Sequence, residues 1–457
     1  MAITTPGVVP ASILVTGHTP GWLTTFARFA RRTRYEDLPE EVVARTRLVI
    51  LDCIGAMLAG RREPEVAEAE RRLGRTGRSG SKLLRAFLGG TAGTMLEIDE
   101  GNQYARGHPG IHVVPAVLAL AADRKVTGAS AILATALGYE IGARIGIASK
   151  LRVTMHPHGT WGTVGAALAV ARLRGAGAGE IAETINVASS LGLTTSRRTM
   201  LEGATVRNTY AGFSNMLGIM AHDLVRSGFT GEVDGVGSVY GGIAADDWRP
   251  EEMVRDLGTR WEIARNYFKR HAACRYNHGA LDALARIVAE AGGRLDPEAI
   301  RAIEVKTYVW AAQLDHPEPA SMLAAKFSMP FSLATFIVNG GATLDAFRDP
   351  AREDAVTRAL ARRVRVDEDP ALTAMLPGLR PARVTVTLTD GRVFTAEALT
   401  NKGDTEDPYA ATEVEAKFME VAAPAIGTDA AGAVARAVLG LDKAATLGGI
   451  LELIDMK

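Results

Sequence analysis

Arg383-Val-Thr-Val-Thr-Leu-Thr389, Asp390-Gly391 and Arg392-Val-Phe-Thr395 form the stretch that decides the fold class. Apolar and polar residues alternate on both sides of an Asp-Gly pair, the pattern of two strands joined by a tight turn. That pair can take the positive φ values a type I′ turn needs. Working outward, Ile303-Glu-Val-Lys-Thr-Tyr-Val309 alternates in the same way, Val364-Arg-Val366 is a short candidate strand, and Asp282–Ala291 reads as helix. On the far side of residue 268 the texture is different. Helical patterns run over Trp22–Arg32, onward from Glu40, and over 94–101, 110–123, 129–148, 160–174, 178–192, 203–227 and 249–257, with hardly a strand before residue 265. Ala411–Leu453 returns to helix. The expected fold is mainly α. A large all-helical domain covers 1–268 and is completed by 401–457, and a smaller α+β domain over 269–400 is inserted within it.

Length and composition set the outer bounds. A chain of 457 residues exceeds what one core usually serves, so two domains are expected. Fifty-two basic residues balance fifty-two acidic ones, which argues against nucleic acid or an anionic membrane as partner. Cys53 and Cys274 are the only cysteines and offer neither a disulfide framework nor a zinc spacing. Met1-Ala-Ile-Thr-Thr-Pro-Gly7 lacks the pattern of a secretory signal. The apolar run Leu48–Gly60 carries Asp52 and is too short to span a bilayer. A soluble, cytoplasmic protein is expected.

Packing signals concentrate in two helices. Val43, Ile50, Leu51, Ile54 and Leu58 make one face, while Leu48, Val49, Cys53 and Ala56 fill the other sides. A helix apolar all round is a buried one. Gly162, Gly165, Ala166 and Ala169 form a small-residue stripe on which a second helix backbone can lie closely.

Chemistry-bearing residues gather in two loops. Leu96-Glu-Ile-Asp-Glu-Gly-Asn-Gln-Tyr-Ala-Arg-Gly-His-Pro-Gly110, with His112 beyond it, is the first. Met155-His-Pro-His-Gly-Thr-Trp-Gly-Thr-Val-Gly165 is the second. Each sets a His-Pro dipeptide among glycines just before an apolar helix, whose free N–H groups and dipole suit a bound carboxylate. An imidazole there can move protons near neutral pH. A lone histidine more often caps a helix or fills a polar gap, but two in matching contexts favour function. Glu97, Asp99 and Glu100 crowd three acids into four positions, and a solvated acidic turn weighs equally on composition alone. Arg207, Lys269 and Arg275 are candidate carboxylate binders, although most basic side chains only solvate a surface.

Metal binding is the competing chemistry. His108 and His112 stand four apart, and His156 and His158 two apart, so four imidazoles could meet an ion. Pro109 inside the first pair and the missing His-Glu-x-x-His pattern weigh against it. No metal and no cofactor are expected; neither a Walker loop nor a Gly-x-Gly-x-x-Gly after a strand occurs.

At these residues the chain resembles the MmgE/PrpD family, which includes 2-methylcitrate dehydratase, cis-aconitate decarboxylase and iminodisuccinate epimerase. Leu51-Asp-Cys-Ile-Gly-Ala-Met-Leu-Ala-Gly60, Glu97–Glu100 with Gly107-His-Pro-Gly110, and Met155-His-Pro-His-Gly159 carry the likeness. Gly228-Phe-Thr-Gly231, Lys269–Asp282, Lys326-Phe-Ser-Met-Pro-Phe331 and Glu413-Val-Glu-Ala-Lys-Phe418 extend it over nearly the whole chain. The resemblance implies a homodimer, cofactor-free chemistry on small polycarboxylates and a site between the two domains. It sets His108 and His156 on the family's active-site histidines, Lys269 on a basic position, and Glu97 or Asp99 on its acidic turn. Arg207 stands where decarboxylase and dehydratase relatives carry lysine, and Phe331 where the decarboxylase carries tyrosine. Arginine is a poor proton donor and phenylalanine none at all, which points away from decarboxylation. His158 replaces a small hydroxyl residue.

The expected activity is removal of a proton α to a carboxylate. His108 or His156 would be the base and the other the acid, assisted by Asp99 or Glu97; Arg207 and Lys269 hold the substrate, with His158 and Arg275 nearby. Dehydration of a 2-methylcitrate-like acid is the first expectation and epimerisation of an iminodisuccinate-like diacid the second. A metal-dependent hydrolase and a non-catalytic carboxylate-binding protein are the readings from other classes.

Overall fold

A computed structural model describes residues 17–74, 81–123 and 125–455. Most of the irregular leader that the sequence suggests over 1–20, and residues 75–80 of the helix and loop that it suggests over 61–80, lie outside the described residues. Helices dominate the order of elements. The Glu40–Gly60 helix is the axis: every residue from Leu48 to Gly60 is buried. The Lys82–Thr94 helix crosses it where a Cβ on Gly60 would meet the Ala92 carbonyl oxygen at 1.9 Å. On another side the Ala411–Ile426 helix lays Phe418 against Gly55. Burying residues such as Ile50 and Ile54 yields about 1.5–3 kcal/mol each, which outweighs the modest helix propensity of β-branched residues. The small-residue stripe works as read. Gly165 and Gly138 bring the Gly162–Leu173 and Gly128–Ala148 helices together so closely that either added Cβ would lie within 2.8 Å of the other's carbonyl oxygen.

Two hydrophobic clusters result. One draws on residues from Trp22 to Phe268 and again from Val414 to Ile454. The other is built mainly from Ala272–Ala398, with Ala92, Met95, Leu96 and Ile98 at its edge. Strands β1 (Ser149–Leu151) and β2 (Ala245–Trp248) form a small antiparallel pair in the helical part. Strands β3 (Ile300–Thr307), β4 (Val364–Glu368), β5 (Ala382–Leu388) and β6 (Val393–Ala398) form a sheet of order β4-β3-β5-β6. β3 runs parallel to β4 and antiparallel to β5, with Val305 opposite both Val366 and Val384.

Three local expectations need correction. The β5–β6 turn is not type I′, because Gly391 has positive φ (92°) and Asp390 does not. Asp390 instead accepts the Arg392 N–H, and the loop closes through Leu388 N–H to the Arg392 carbonyl. Residues 94–101 are not a helix; the helix ends at Thr94 and Glu97 adopts φ 56°. Tertiary bonds override local propensity there. Asp52 accepts the Glu100 N–H at 2.8 Å, and Lys417 Nζ donates to Asp52 and to the Ile98 carbonyl, both at 2.5 Å. The helix expected over 249–257 is a single 3₁₀ turn, Pro250–Met253. The buried Arg144 guanidinium donates to the carbonyls of Glu252, Arg255 and Arg260, which holds the segment in successive turns. Among the described residues, one helix, Gly128–Ala148, is long and apolar enough to cross a membrane, and 94% of its apolar window is buried inside the protein.

Candidate active site

The acid turn and the first His-Pro loop build one wall. Because residues 95–101 leave the helix, Glu97 and Asp99 point inward together, and Glu100 turns away to accept from Gly110 N–H, Tyr139 and Asn266. Burial pushes the Glu100 carboxyl up to about 8. Asp99 lies 2.8 Å from His108 Nδ1, off the straight line of a full hydrogen bond. Burial would raise the Asp99 carboxyl, but His108, Lys269 and Arg207 together hold it well below the usual range. Glu97 is paired with Arg207 and with Lys269, whose Nζ is 3.3 Å from Glu97 Oε2 and 3.8 Å from Asp99. Burial also opposes ionisation of Glu97, and Arg207 and Lys269 overcome it.

The second loop builds the facing wall. Thr195 Oγ1 donates to the carbonyls of His156 and His158, and His156 N–H donates to the Thr195 carbonyl. Gly159 takes φ 82°, which opens the loop toward the Gly162–Leu173 helix. A Cβ at Gly162 would strike the His112 ring at 2.3 Å. His158 is the hub of four imidazoles: the rings of His108, His156 and His112 lie edge-on to it at 4.6, 4.7 and 5.0 Å. His112 is structural. Its Nδ1 meets the His108 carbonyl, its Nε2 accepts Gly159 N–H, and burial lowers it to about 4. Burial, then Arg207, drives His156 and His158 well below the ordinary imidazole value, so both are neutral. His156 Nδ1 accepts the His158 N–H, which leaves the ring proton on Nε2, 3.4 Å from Arg207 Nε. Donor then faces donor across that gap, an arrangement that an anion accepting from both would relieve.

A small cavity, about 60 Å³, opens between these walls. Glu97, His108, His156, His158, Arg207 and Arg275 all line it. Asp99 and Lys269 are fully buried one layer behind. Arg275 is spent on Asp404 and His278. Phe331 is absent from the wall; it packs on Phe347 in the second cluster, and Phe327 lines the cavity instead, beneath Arg207. The argument from a lost tyrosine at Phe331 therefore does not bear on this cavity, and Phe327, which does line it, cannot donate a proton. A larger cavity, about 280 Å³, lies elsewhere against Met57, Leu88 and Ile454 and carries no histidine.

Sequence reading missed Arg197, Arg380 and Tyr267, which also line the cavity, and noted Tyr276 only as a neighbour of the basic residues around Arg275. Tyr276 opens the Arg275–Glu290 helix beside Arg275, and that adjacency was the available signal. Arg380 carried none, since it precedes β5 far along the chain. Among the described residues no three His, Cys, Asp or Glu side chains are arranged to hold a metal ion. The His112 nitrogens are already committed, and this donor geometry weighs against the hydrolase reading.

The model of the MmgE/PrpD N-terminal domain matches residues 24–245, and that of the C-terminal domain matches 271–443. Cis-aconitate decarboxylase from Aspergillus terreus is 24% identical, covering 95% of this chain and 96% of its own length. A cis-aconitate decarboxylase-like protein, oryM, from Aspergillus oryzae is 25% identical over 92% and 94%. Human cis-aconitate decarboxylase is 24% identical over 92% and 91%. With both of its domains matched in order along the described fold, the chain belongs to the MmgE/PrpD family.

Proposed function

We propose that the protein is a lyase acting on a small polycarboxylic acid, with abstraction of a proton α to a carboxylate as its first step. The observation that carries this reading is the Asp99–His108 pair opening onto a cavity shared with Arg207. Asp99 holds a proton on His108 Nδ1, which leaves Nε2 free as the base. Arg207 binds the carboxylate that receives the developing charge. Lys269 acts from behind, keeping Glu97 and Asp99 ionised side by side. In this reading His156 is a neutral hydrogen-bond donor to the substrate. The proton that His108 removes is the one available to a departing β-hydroxyl, so water leaves and the base is restored. Glu97 organises the cations, and His158 and Arg275 shape the cavity.

Dehydration of a 2-methylcitrate-like acid is the reading we put first, and return of the proton to the opposite face of an iminodisuccinate-like diacid is its isomerase variant. The relatives' names favour a second reading, decarboxylation of cis-aconitate. That reaction needs a donor to protonate carbon after CO₂ leaves, a role Arg207 and Phe327 fill poorly. We also propose that residues 1–268 with 401–457 and residues 269–400 are the two domains, and that the protein is a homodimer without cofactor. Incubation with 2-methylcitrate and with cis-aconitate, followed by NMR, tests the reaction. Loss of water from the first supports dehydration, and loss of CO₂ from the second supports the alternative. No change in either, nor proton exchange at any α-carbon, would remove the dehydratase and the decarboxylase readings together.

A further inference from the structure

The charges around the cavity do not cancel. Arg207 is matched by Glu97, and Arg275 by Asp404. Arg106 gives its guanidinium to the carbonyls of Gly146 and Ser149. Arg197 and Arg380 have no carboxylate partner among the described residues. Arg197 is half-buried, and its Nε and Nη2 are buried without any hydrogen-bond acceptor. Arg380 is 5% exposed; Nη2 reaches the Gln103 carbonyl at 2.6 Å while Nε has no partner. Both guanidinium carbons stand over one ring, 6.0 and 5.7 Å from the centroid of Tyr276. Each is a partly desolvated cation short of acceptors, a state that a bound carboxylate would relieve.

Both are also held firmly toward the cavity. Arg197 N–H donates to the Thr154 carbonyl, and neighbouring Ser196 pairs with Met155, so this segment is zipped to the His156–His158 loop. Arg380 comes from the sheet side, just ahead of β5.

We infer that Arg197 and Arg380 form a second anion subsite beside Tyr276, each taking one substrate carboxylate, so that with Arg207 the cavity reads three. This rests on the polycarboxylate reading above and adds to it the residues that select a tricarboxylate over a dicarboxylate.

The probes are tricarballylate and glutarate, which differ by one carboxylate, titrated calorimetrically into the full-length protein. Wild type should bind tricarballylate at least 10-fold more tightly than glutarate, and Arg197→Gln should erase most of that preference, a loss on the order of 10- to 100-fold for a charged hydrogen bond. Arg380→Lys, which keeps charge but loses the planar fork, should lose part of it. Arg197 makes no side-chain hydrogen bond, so its variant should melt as wild type does. A wild-type preference ratio in both variants would overturn the subsite. If Arg207→Ala abolishes binding while that ratio persists, the subsite falls and the polycarboxylate reading stands. If wild type binds neither probe, both fall.

Discussion

The two His-Pro loops look alike in sequence and differ in what stands behind the imidazole. His108 is backed by Asp99, itself held ionised by Lys269, so its ring can accept and carry a proton. His156 is backed by a backbone N–H and faces Arg207, and burial with that cation keeps it neutral. In the proposed reaction one dipeptide therefore serves as base and the other as hydrogen-bond donor. The element that separates them is the acid turn, which only one of the loops possesses.

The largest effect should come from exchanging the two histidines' fates. His108→Gln should lower kcat by about 10²–10⁴, the usual worth of a general base. His156→Gln should act mainly on KM. Steady-state kinetics on an accepted substrate checks both, and equal kcat losses would erase the distinction. Next is the support of the acid turn. Lys417→Ala leaves the Asp52 charge buried alone and should cost about 3–5 kcal/mol of stability, measured by chemical denaturation. The double variant Asp52→Asn, Lys417→Met should recover much of that cost. Arg207→Ala should raise KM by the equivalent of about 1.5–3 kcal/mol, and unchanged kinetics would remove Arg207 from substrate binding.

The smallest effect is a pH dependence of stability. His112, His156, His158 and His278 are all buried, and burial lowers each below the ordinary imidazole value of 6.5. The unfolded chain therefore binds more protons below that pH, and stability falls as pH drops through it. Glu140 and Glu100 are raised by burial to about 7 and about 8. The folded chain holds those protons, which by itself lowers stability as pH rises toward 8. Lys326, lowered by burial to about 7, offsets this above pH 7, so melting temperature should fall as pH drops below 6.5 and change little up to pH 8, and Glu100→Gln should turn the alkaline side upward.

The sheet and the buried axis were legible because both depend on local pattern: alternation over Arg383–Thr395 and apolar residues all round Leu48–Gly60. The acid turn was not. Thr94-Met-Leu-Glu97 reads as helix, and only bonds from Lys417, Asp52 and Lys269, residues remote in sequence, turn it outward. The histidines were found because Gly and Pro mark their loops. Arg197 and Arg380 were missed because an arginine's role depends on which carboxylates fail to meet it, and that is a property of the folded surroundings.

The central claim is that His108, and not His156, takes the proton. Deuterium incorporation from D2O into the α-carbon of whichever polycarboxylate is turned over, followed by NMR, tests it directly. Exchange should occur with wild type and persist in His156→Gln, and it should vanish in His108→Gln. Exchange that survives loss of His108, or disappears only with His156, would contradict the assignment.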